Sequence, residues 1–193
     1  MRWPLVLALT AGIAASACGG SDTGPSGTGT LRMTLKDSPF TDAKALLVTF
    51  SEVDAHKSDT TEGTWAKLDF APSATLRTCD LKKLQTAQDV LGIGTLTAGH
   101  YTQVRLVVSS AVIYFENATL ATDPACAATM TAPTGRNANV TIPSGEVKLN
   151  REFDVPPNGA TTMLLDFDGD GSVHQTGSGT YMMSPVIHVV SVQ

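Results

Sequence analysis

The sequence predicts an all-β fold: an antiparallel β-sandwich or Greek-key domain, immunoglobulin-like or transthyretin-like. Many short stretches alternate apolar and polar residues, which is the period of a strand with one buried face. Clusters of Gly, Pro, Asn and Asp separate these stretches, and no long helical period interrupts them. The 193-residue chain is long enough for one domain of this kind, which we place at residues 30–193.

The first part of the domain contains four predicted strands and one helical turn. The second strand is long, and we expect it to bend near Ser51. The helical turn is predicted at Leu81–Leu84, directly after a short strand. The four strands are Leu31–Lys36, Ala45–Ala55, Trp65–Phe70 and Leu76–Cys79. Trp65 is expected in the core or half-buried at an edge, because tryptophan is usually well buried.

The middle of the domain contains the longest alternating stretch, Leu96–Val108. Alternation assigns Val104 and Leu106 to the buried face, and Tyr101 and Arg105 to the opposite face. Tyr101 also stands two residues after Gly99 at the start of the strand, like the tyrosine whose hydroxyl ties down a corner in sandwich folds. Strands are predicted on either side of this stretch, at Val90–Leu96 and Ala111–Phe115.

The last part begins with an Ala-, Thr- and Pro-rich segment, Glu116–Ala138, which we expect to be the least ordered part of the domain. Turn sequences near Pro156 and Gly177 punctuate the strands that follow. These strands are predicted at Val140–Ile142, Val147–Phe153, Thr161–Phe167 and Val186–Val192.

The N-terminus has the pattern of a secretory signal peptide, which we place at residues 1–17. Arg2 supplies a basic start, and the apolar run Leu5–Ala17 is shorter than the about 20 residues that span a bilayer. Small residues then precede Cys18. Residues 18–29, rich in Gly, Ser and Thr, are predicted to form a flexible linker.

The sequence A-S-A-C that ends at Cys18 resembles the lipobox of bacterial lipoproteins. The resemblance implies that the Cys18 thiol receives a diacylglyceryl group and that Cys18 becomes the new N-terminal residue after cleavage. It also implies a lipid anchor in the bacterial cell envelope, and Gly19 fits sorting to the outer membrane. The alternative is ordinary secretion with a chance cysteine.

Two cysteines remain in the domain after Cys18, namely Cys79 and Cys126. An even pair in an exported chain favours a disulfide, which would pin the segment around Cys126. The alternative is two separate buried thiols. A C-x-x-C motif is absent from the sequence, so a zinc ribbon or a dithiol redox site has no support.

The stretch Met163–Ser172 contains the main cluster of potential ligands. Alternation buries one face of the strand and places Asp166 and Asp168 on the other, and the glycines that follow let Asp170 approach them. This spacing matches the first half of a calcium loop, although Gly177 stands where the loop needs a bidentate Glu. Three carboxylates supply too few oxygens, so backbone carbonyls near Ser172, water or a remote acid must complete the shell. Asp37 is the predicted acid, because it also ends a predicted strand and would reach the same end of the sandwich. The alternative is a solvated Asp-Gly turn without an ion.

Composition argues against several classes of function. The formal net charge is −5, and the basic residues are scattered, so nucleic acid is not expected as a partner. A G-x-S-x-G elbow is absent, and the four histidines do not show zinc spacing. Carbohydrate or protein binding remains open, because β-sandwiches carry many binding sites.

Six short motifs occur along the domain: L-K-D-S-P, V-T-F-S-E-V-D-A-H, L-T-A-G-H-Y-T-Q-V-R-L-V-V, I-P-S-G, L-L-D-F-D and Y-M-M-S-P-V-I-H-V-V. In their order and spacing they resemble the domain of unknown function family 4382, over Gly29–Val192. The resemblance implies an exported bacterial lipoprotein and no particular reaction. The chain departs from the family pattern at Gly169-Asp170-Gly171, so an ion site there would be a local feature.

The function expected from the sequence is therefore a membrane-tethered, non-enzymatic envelope lipoprotein with a structural or surface-binding role. We expect a monomer whose ligand is a carbohydrate or a protein. The alternative is an envelope hydrolase with an acidic site that the motifs do not reveal.

Overall fold

The computed structural model describes residues 25–38, 43–58, 64–70 and 74–193. The predicted signal peptide, Cys18 and most of the predicted linker lie outside the described residues. No helix in the described part of the chain is long and apolar enough to cross a membrane.

The described residues form thirteen strands and two single-turn helices. In chain order the strands are β1 Thr28–Ser38, β2 Ala45–Lys57, β3 Trp65–Lys67, β4 Arg77–Asp80, β5 Asp89–Thr97, β6 Gly99–Tyr114, β7 Cys126–Ala127, β8 Asn137–Thr141, β9 Glu146–Val155, β10 Ala160–Asp168, β11 Val173–Gln175, β12 Tyr181–Met183 and β13 Ile187–Val192. The helices are α1 Leu81–Leu84, as predicted, and α2 Gly169–Ser172, one helical turn in the glycine-rich stretch that was predicted as an Asp-Gly turn or half of a calcium loop.

Two sheets make up the fold. The smaller sheet has four strands in the order β13-β10-β1-β5. The larger sheet has nine strands in the order β11-β12-β8-β6-β2-β4-β7, and β3 pairs with β2 while β9 pairs with β6 outside this path. The long strands β2 and β6 form the centre of the larger sheet.

The inner faces of the two sheets share one apolar core, which confirms the predicted all-β sandwich. Met163, Leu165 and Phe167 of β10 are fully buried, as the alternation predicts. Phe167 contacts Phe50 of the larger sheet edge to face, with 6.4 Å between ring centroids. Burial of aromatic and aliphatic side chains between sheets is the main driving force for such folds.

Most of the described strand pairs are antiparallel, as predicted, but two pairs are parallel. β1 pairs with β10 in parallel, and β12 pairs with β8 in parallel, so both sheets are mixed. β1 lies between β10, to which it is parallel, and β5, to which it is antiparallel. An alternating sequence fixes the buried face of a strand but not its neighbours, so the sequence pattern could not reveal this insertion.

Tyr101 is also assigned to the wrong face by simple alternation. The pairing of β6 with β9 shifts between Tyr101 and Gln103, so Tyr101 turns inward and is 1% exposed. Its ring stacks on Phe153, and its hydroxyl donates to the Thr97 carbonyl at 2.8 Å. The hydrogen bond from the Tyr101 hydroxyl to Thr97 confirms the predicted corner tyrosine. The register shift explains why Tyr101 faces inward and not outward, as predicted from alternation.

Several boundaries differ from those predicted. β1 begins at Thr28, inside the predicted linker 18–29, because backbone bonds from Asn158 to Thr28 and from Thr30 to Gly159 extend the sheet. β6 is one strand where two were predicted. The strands β7, β11 and β12 were not predicted, since each has only two or three residues and too short a pattern to detect.

Candidate functional site

The acidic corner is the place where β1 and β10 end side by side. It comprises Asp37, Asp166, Asp168 and Asp170. The parallel register sets Lys36 opposite Asp166 and Asp37 opposite Phe167. As predicted from the sequence, Asp37 therefore reaches the same end of the sandwich as the aspartates of β10. The Gly169 amide donates to Asp37 Oδ1 at 2.9 Å and joins the two strand ends.

The other carboxylates of the acidic corner have partners of their own. Asp166 accepts a hydrogen bond from the Lys36 ammonium at 2.6 Å. Asp168 is the N-cap of α2 and accepts from the Gly171 amide at 2.8 Å. Asp170 is exposed in the first turn of that helix.

These contacts bear on the predicted calcium site. Among the described residues, no group of three or more His, Cys, Asp or Glu side chains is arranged to hold a metal ion. Hydrogen bonds and one ion pair satisfy Asp37, Asp166 and Asp168, in the way expected of a capped turn. Calcium binding by the acidic corner stays a prediction.

Asp37 is the unusual group of the corner. Its side chain is buried, and burial raises its pKa from the ordinary value of 3.8 to about 7. Hydrogen bonds from Gly169 and Gln85 favour the charged form, whereas the nearby charges of Asp166 and Asp168 oppose it. A cavity of about 440 Å³, lined by residues that include Lys36, Leu84 and Gln85, adjoins this carboxyl group.

The predicted disulfide is present. Cys79 of β4 and Cys126 of β7 are bonded, with 4.0 Å between their Cα atoms, because the two strands pair at this point. Asp89 supports the bridge, since its Oδ2 accepts from the Cys126 amide at 3.0 Å. The ammonium of Lys83 donates to two carbonyls of the segment 116–138, those of Leu120 and Asp123. The segment is thus fastened at several points, and the cysteine pair has a structural role.

The Trp65 surface lies on the outer face of the larger sheet. It comprises Trp65, His56, Asp54, Arg105, Glu146 and Lys148. Trp65 is half-buried on the short strand β3, as predicted, and the Arg105 guanidinium lies 4.6 Å from its ring centroid.

The charges of the Trp65 surface are paired with one another. Arg105 donates through Nε and a terminal nitrogen to Asp54, at 2.9 and 2.7 Å. Lys148 approaches Glu146 to 2.8 Å, and this hydrogen bond holds the pKa of Glu146 below its ordinary value. Cation–π and ion-pair contacts therefore occupy the tryptophan ring and its neighbours, and the surface is a stabilising network.

One further feature was missed in the sequence. A groove of about 440 Å³ crosses the outer face of the smaller sheet, and Arg32 of β1 lines it. An outward arginine in an alternating strand reads as an ordinary surface residue, so the sequence carried no signal for a groove at this point.

Comparison with known proteins identifies one family. The model of the family described as "Domain of unknown function (DUF4382)" matches residues 28–185. No curated protein matches the chain, and no solved structure matches it.

Proposed function

Because the chain belongs to the DUF4382 family of domains of unknown function, we propose its role from its own residues. The protein is a lipid-anchored lipoprotein of the bacterial envelope, in the outer membrane. Its sandwich domain has a non-enzymatic role, either structural or in binding a carbohydrate or a protein at the surface. The domain acts as a monomer.

The N-terminal sequence supports the tether. An apolar signal ends in A-S-A-C, and a Gly/Ser/Thr-rich segment separates Cys18 from the first residue of β1, Thr28. One acyl chain holds a protein to a membrane only marginally, whereas two or more hold it stably. A processed lipoprotein cysteine would carry several chains and would keep the domain close to the membrane.

The observation that carries the non-enzymatic role is the use of the acidic side chains. The buried Asp80 accepts hydrogen bonds from the Leu46 and Lys82 amides and from the Thr119 hydroxyl. In the same way, Asp54 is held by Arg105, and Asp168 caps α2. General acid–base catalysis needs carboxyl groups that can reach a substrate proton. These groups stabilise the fold instead.

The tether is tested by growing cells that express the full chain with labelled fatty acid. We expect label in the wild-type protein and recovery of that protein with the membranes. Cys18→Ala abolishes both, because it removes the acceptor thiol. Ser21→Ala is the matched control, since it changes the same segment but leaves the acceptor unchanged.

Two results would contradict the tether. One is wild-type protein that stays with the membranes without any label. The other is a Cys18→Ala variant that takes up label and stays with the membranes to the same extent as the wild type.

Asp37 favours one second candidate function, an envelope hydrolase. A carboxyl group with a pKa of about 7 beside a cavity has the properties of a general acid. Such an enzyme would cleave glycoside or ester substrates, and Asp37→Asn would abolish turnover. Asp170→Asn changes an exposed carboxylate of the same corner and serves as the control. If the wild-type protein turns over neither glycoside nor ester substrates, that result contradicts the hydrolase function and favours the non-enzymatic role.

A further inference from the structure

The Arg32 groove spans all four strands of the smaller sheet on its outer face. Gln88, just before β5, lies on one side, and Ser191 and Gln193 lie on the other. Arg32 and Thr34 of β1 and Thr162 and Leu164 of β10 lie between them. The register places Arg32 beside Thr162 and Thr34 beside Leu164 in adjacent strands. Its volume of about 440 Å³ is within the range of small-molecule sites.

Arg32 supplies an uncompensated positive charge to this groove. It is exposed, and it has no ion pair or hydrogen-bond partner among the described residues. The acid that also lines the groove, Asp89, is already engaged by Arg77 at 3.3 Å and by the Val90 and Cys126 amides. Lys36 and Asp166, further along the same two strands, pair with each other. The unmatched group in the groove is therefore a guanidinium, whose fork of donors fits a carboxylate.

The remaining lining fits a polyhydroxylated ligand. Thr162 and Ser191 provide hydroxyl groups, and Gln88 and Gln193 provide amides that both donate and accept hydrogen bonds. The Thr34 hydroxyl already donates to the Met163 carbonyl, so its oxygen remains as an acceptor. Leu164 and Val90 add an apolar part, against which the C–H groups of a sugar ring can pack.

We propose that the Arg32 groove binds a carboxylate-bearing sugar, with the carboxylate paired to Arg32 and the hydroxyl groups bonded to the polar lining. The proposal rests on the surface-binding role proposed above and names the ligand class. It assigns recognition to the smaller sheet, away from the Trp65 surface.

The test measures binding of glucuronate, glucose and inorganic phosphate to the full chain by calorimetry. We expect saturable binding of glucuronate, and binding of glucose and phosphate that is at least about tenfold weaker. Arg32→Gln weakens glucuronate binding at least about tenfold, because a charge-assisted bond is lost. Arg32→Lys gives an intermediate loss, because it keeps the charge but not the two-pronged geometry.

Arg151→Gln is the matched control, since Arg151 is an exposed arginine of β9 without an ion pair among the described residues. It leaves glucuronate binding unchanged. Absence of glucuronate binding, an equal loss in Arg151→Gln, or phosphate binding as strong as that of glucuronate would overturn the proposal. None of these results alters the fatty-acid label on Cys18 or the turnover assay, so failure of the ligand assignment is distinguishable from failure of the proposed tether.

Discussion

At the scale of single residues, the buried polar groups act as joints between elements. Asp80 is 1% exposed, yet it accepts from the backbone of β2, from the first turn of α1 and from Thr119 in the following segment. Removing a buried acceptor of this kind leaves its donors unpaired, which is costlier than the loss of an exposed bond. Asp37 joins β1 to α2 in a similar way, but it also titrates near neutrality.

Asp37 makes the stability of the fold depend on pH. Its carboxyl group binds a proton up to about pH 7 in the folded state, whereas an unfolded chain releases it near pH 3.9. A group that holds its proton more tightly when folded stabilises the fold fully below the unfolded pKa. This stabilisation is lost as the pH rises to about 7. A difference of one between the folded and unfolded pKa values corresponds to about 1.4 kcal/mol of stability.

Denaturant unfolding at a series of pH values measures this effect. The free energy of unfolding of the wild type is expected to decrease between about pH 4 and about pH 7, relative to that of Asp37→Asn. The reason is that the amide in the variant does not titrate, whereas the Asp37 carboxyl group loses its proton over this range. Parallel pH profiles of the two proteins would show that Asp37 is not the group responsible.

Gly29 is required at its position by close approach. A Cβ added there would clash with the Pro156 carbonyl oxygen and would lie 2.7 Å from Val155 Cγ1. Gly29→Ala is expected to lower the free energy of unfolding by about 2 kcal/mol, as overpacking does. Gly177 has nothing within 4 Å of an added Cβ, so Gly177→Ala should change stability by less than about 0.5 kcal/mol. Equal stability of the two variants, measured by urea unfolding, would contradict the packing of Gly29.

At the scale of elements, register shifts between paired strands limit how far the apolar–polar alternation of a strand predicts its buried face. The predicted bend in β2 near Ser51 is confirmed, because the pairing with β6 shifts on both sides of Phe50. Phe50 and Val53 are both buried although three positions separate them, so the buried face changes parity across the bend. The unusual length of the predicted strand indicated the bend in β2. No feature of the sequence indicated the register shift next to Tyr101, which places its side chain on the face opposite to the predicted one.

The end of β10 shows a second limit of prediction from sequence. The spacing of Asp166, Asp168 and Asp170 is visible in the sequence, and so is the glycine-rich turn. The partner of Asp166 is not, because Lys36 reaches it only through the parallel pairing of β1 with β10. These three aspartates can therefore be found from their spacing, while their bonding partners depend on the strand topology.

Asp168 separates the capping role from the calcium hypothesis. Asp168→Ala should lower the free energy of unfolding by about 1 kcal/mol, because it removes the N-cap of α2, whereas Asp168→Asn keeps a good cap. Thermal melts of the three proteins with calcium and with chelator measure both effects. The capping role predicts the same melting temperature with and without calcium. A calcium-dependent increase in the wild type that Asp168→Asn abolishes would establish the ion site.

At the scale of the whole molecule, the Cys79–Cys126 disulfide stabilises the fold and is consistent with the proposed location in the cell envelope. The bridge closes a loop with a sequence separation of 47 residues, and loop-closure entropy assigns about 4 kcal/mol to such a cross-link. Disulfides of this kind persist in oxidising compartments outside the cytosol. The predicted pairing followed from an even cysteine count in an exported chain, and the pairing of β4 with β7 now gives it a geometric basis.

The pairing of distant strands is the part of the fold that the sequence could not supply. Met33 and Met163 are neighbours in the smaller sheet although 130 positions separate them. Both lie in strands with clear alternation, which identifies each as buried but names no partner. The Arg32 groove depends on the same pairing, since residues of β1 and β10 line it side by side.

The mass of the intact protein extracted from bacterial envelopes is the most direct test of the lipid anchor, because it reports processing, acylation and the disulfide together. We expect a chain that begins at Cys18, carries a diacylglyceryl group on the Cys18 thiol, and lacks two hydrogens until the disulfide is reduced. A chain with its signal intact, or one that begins near Cys18 with a free thiol and no lipid, would contradict the proposed lipid anchor.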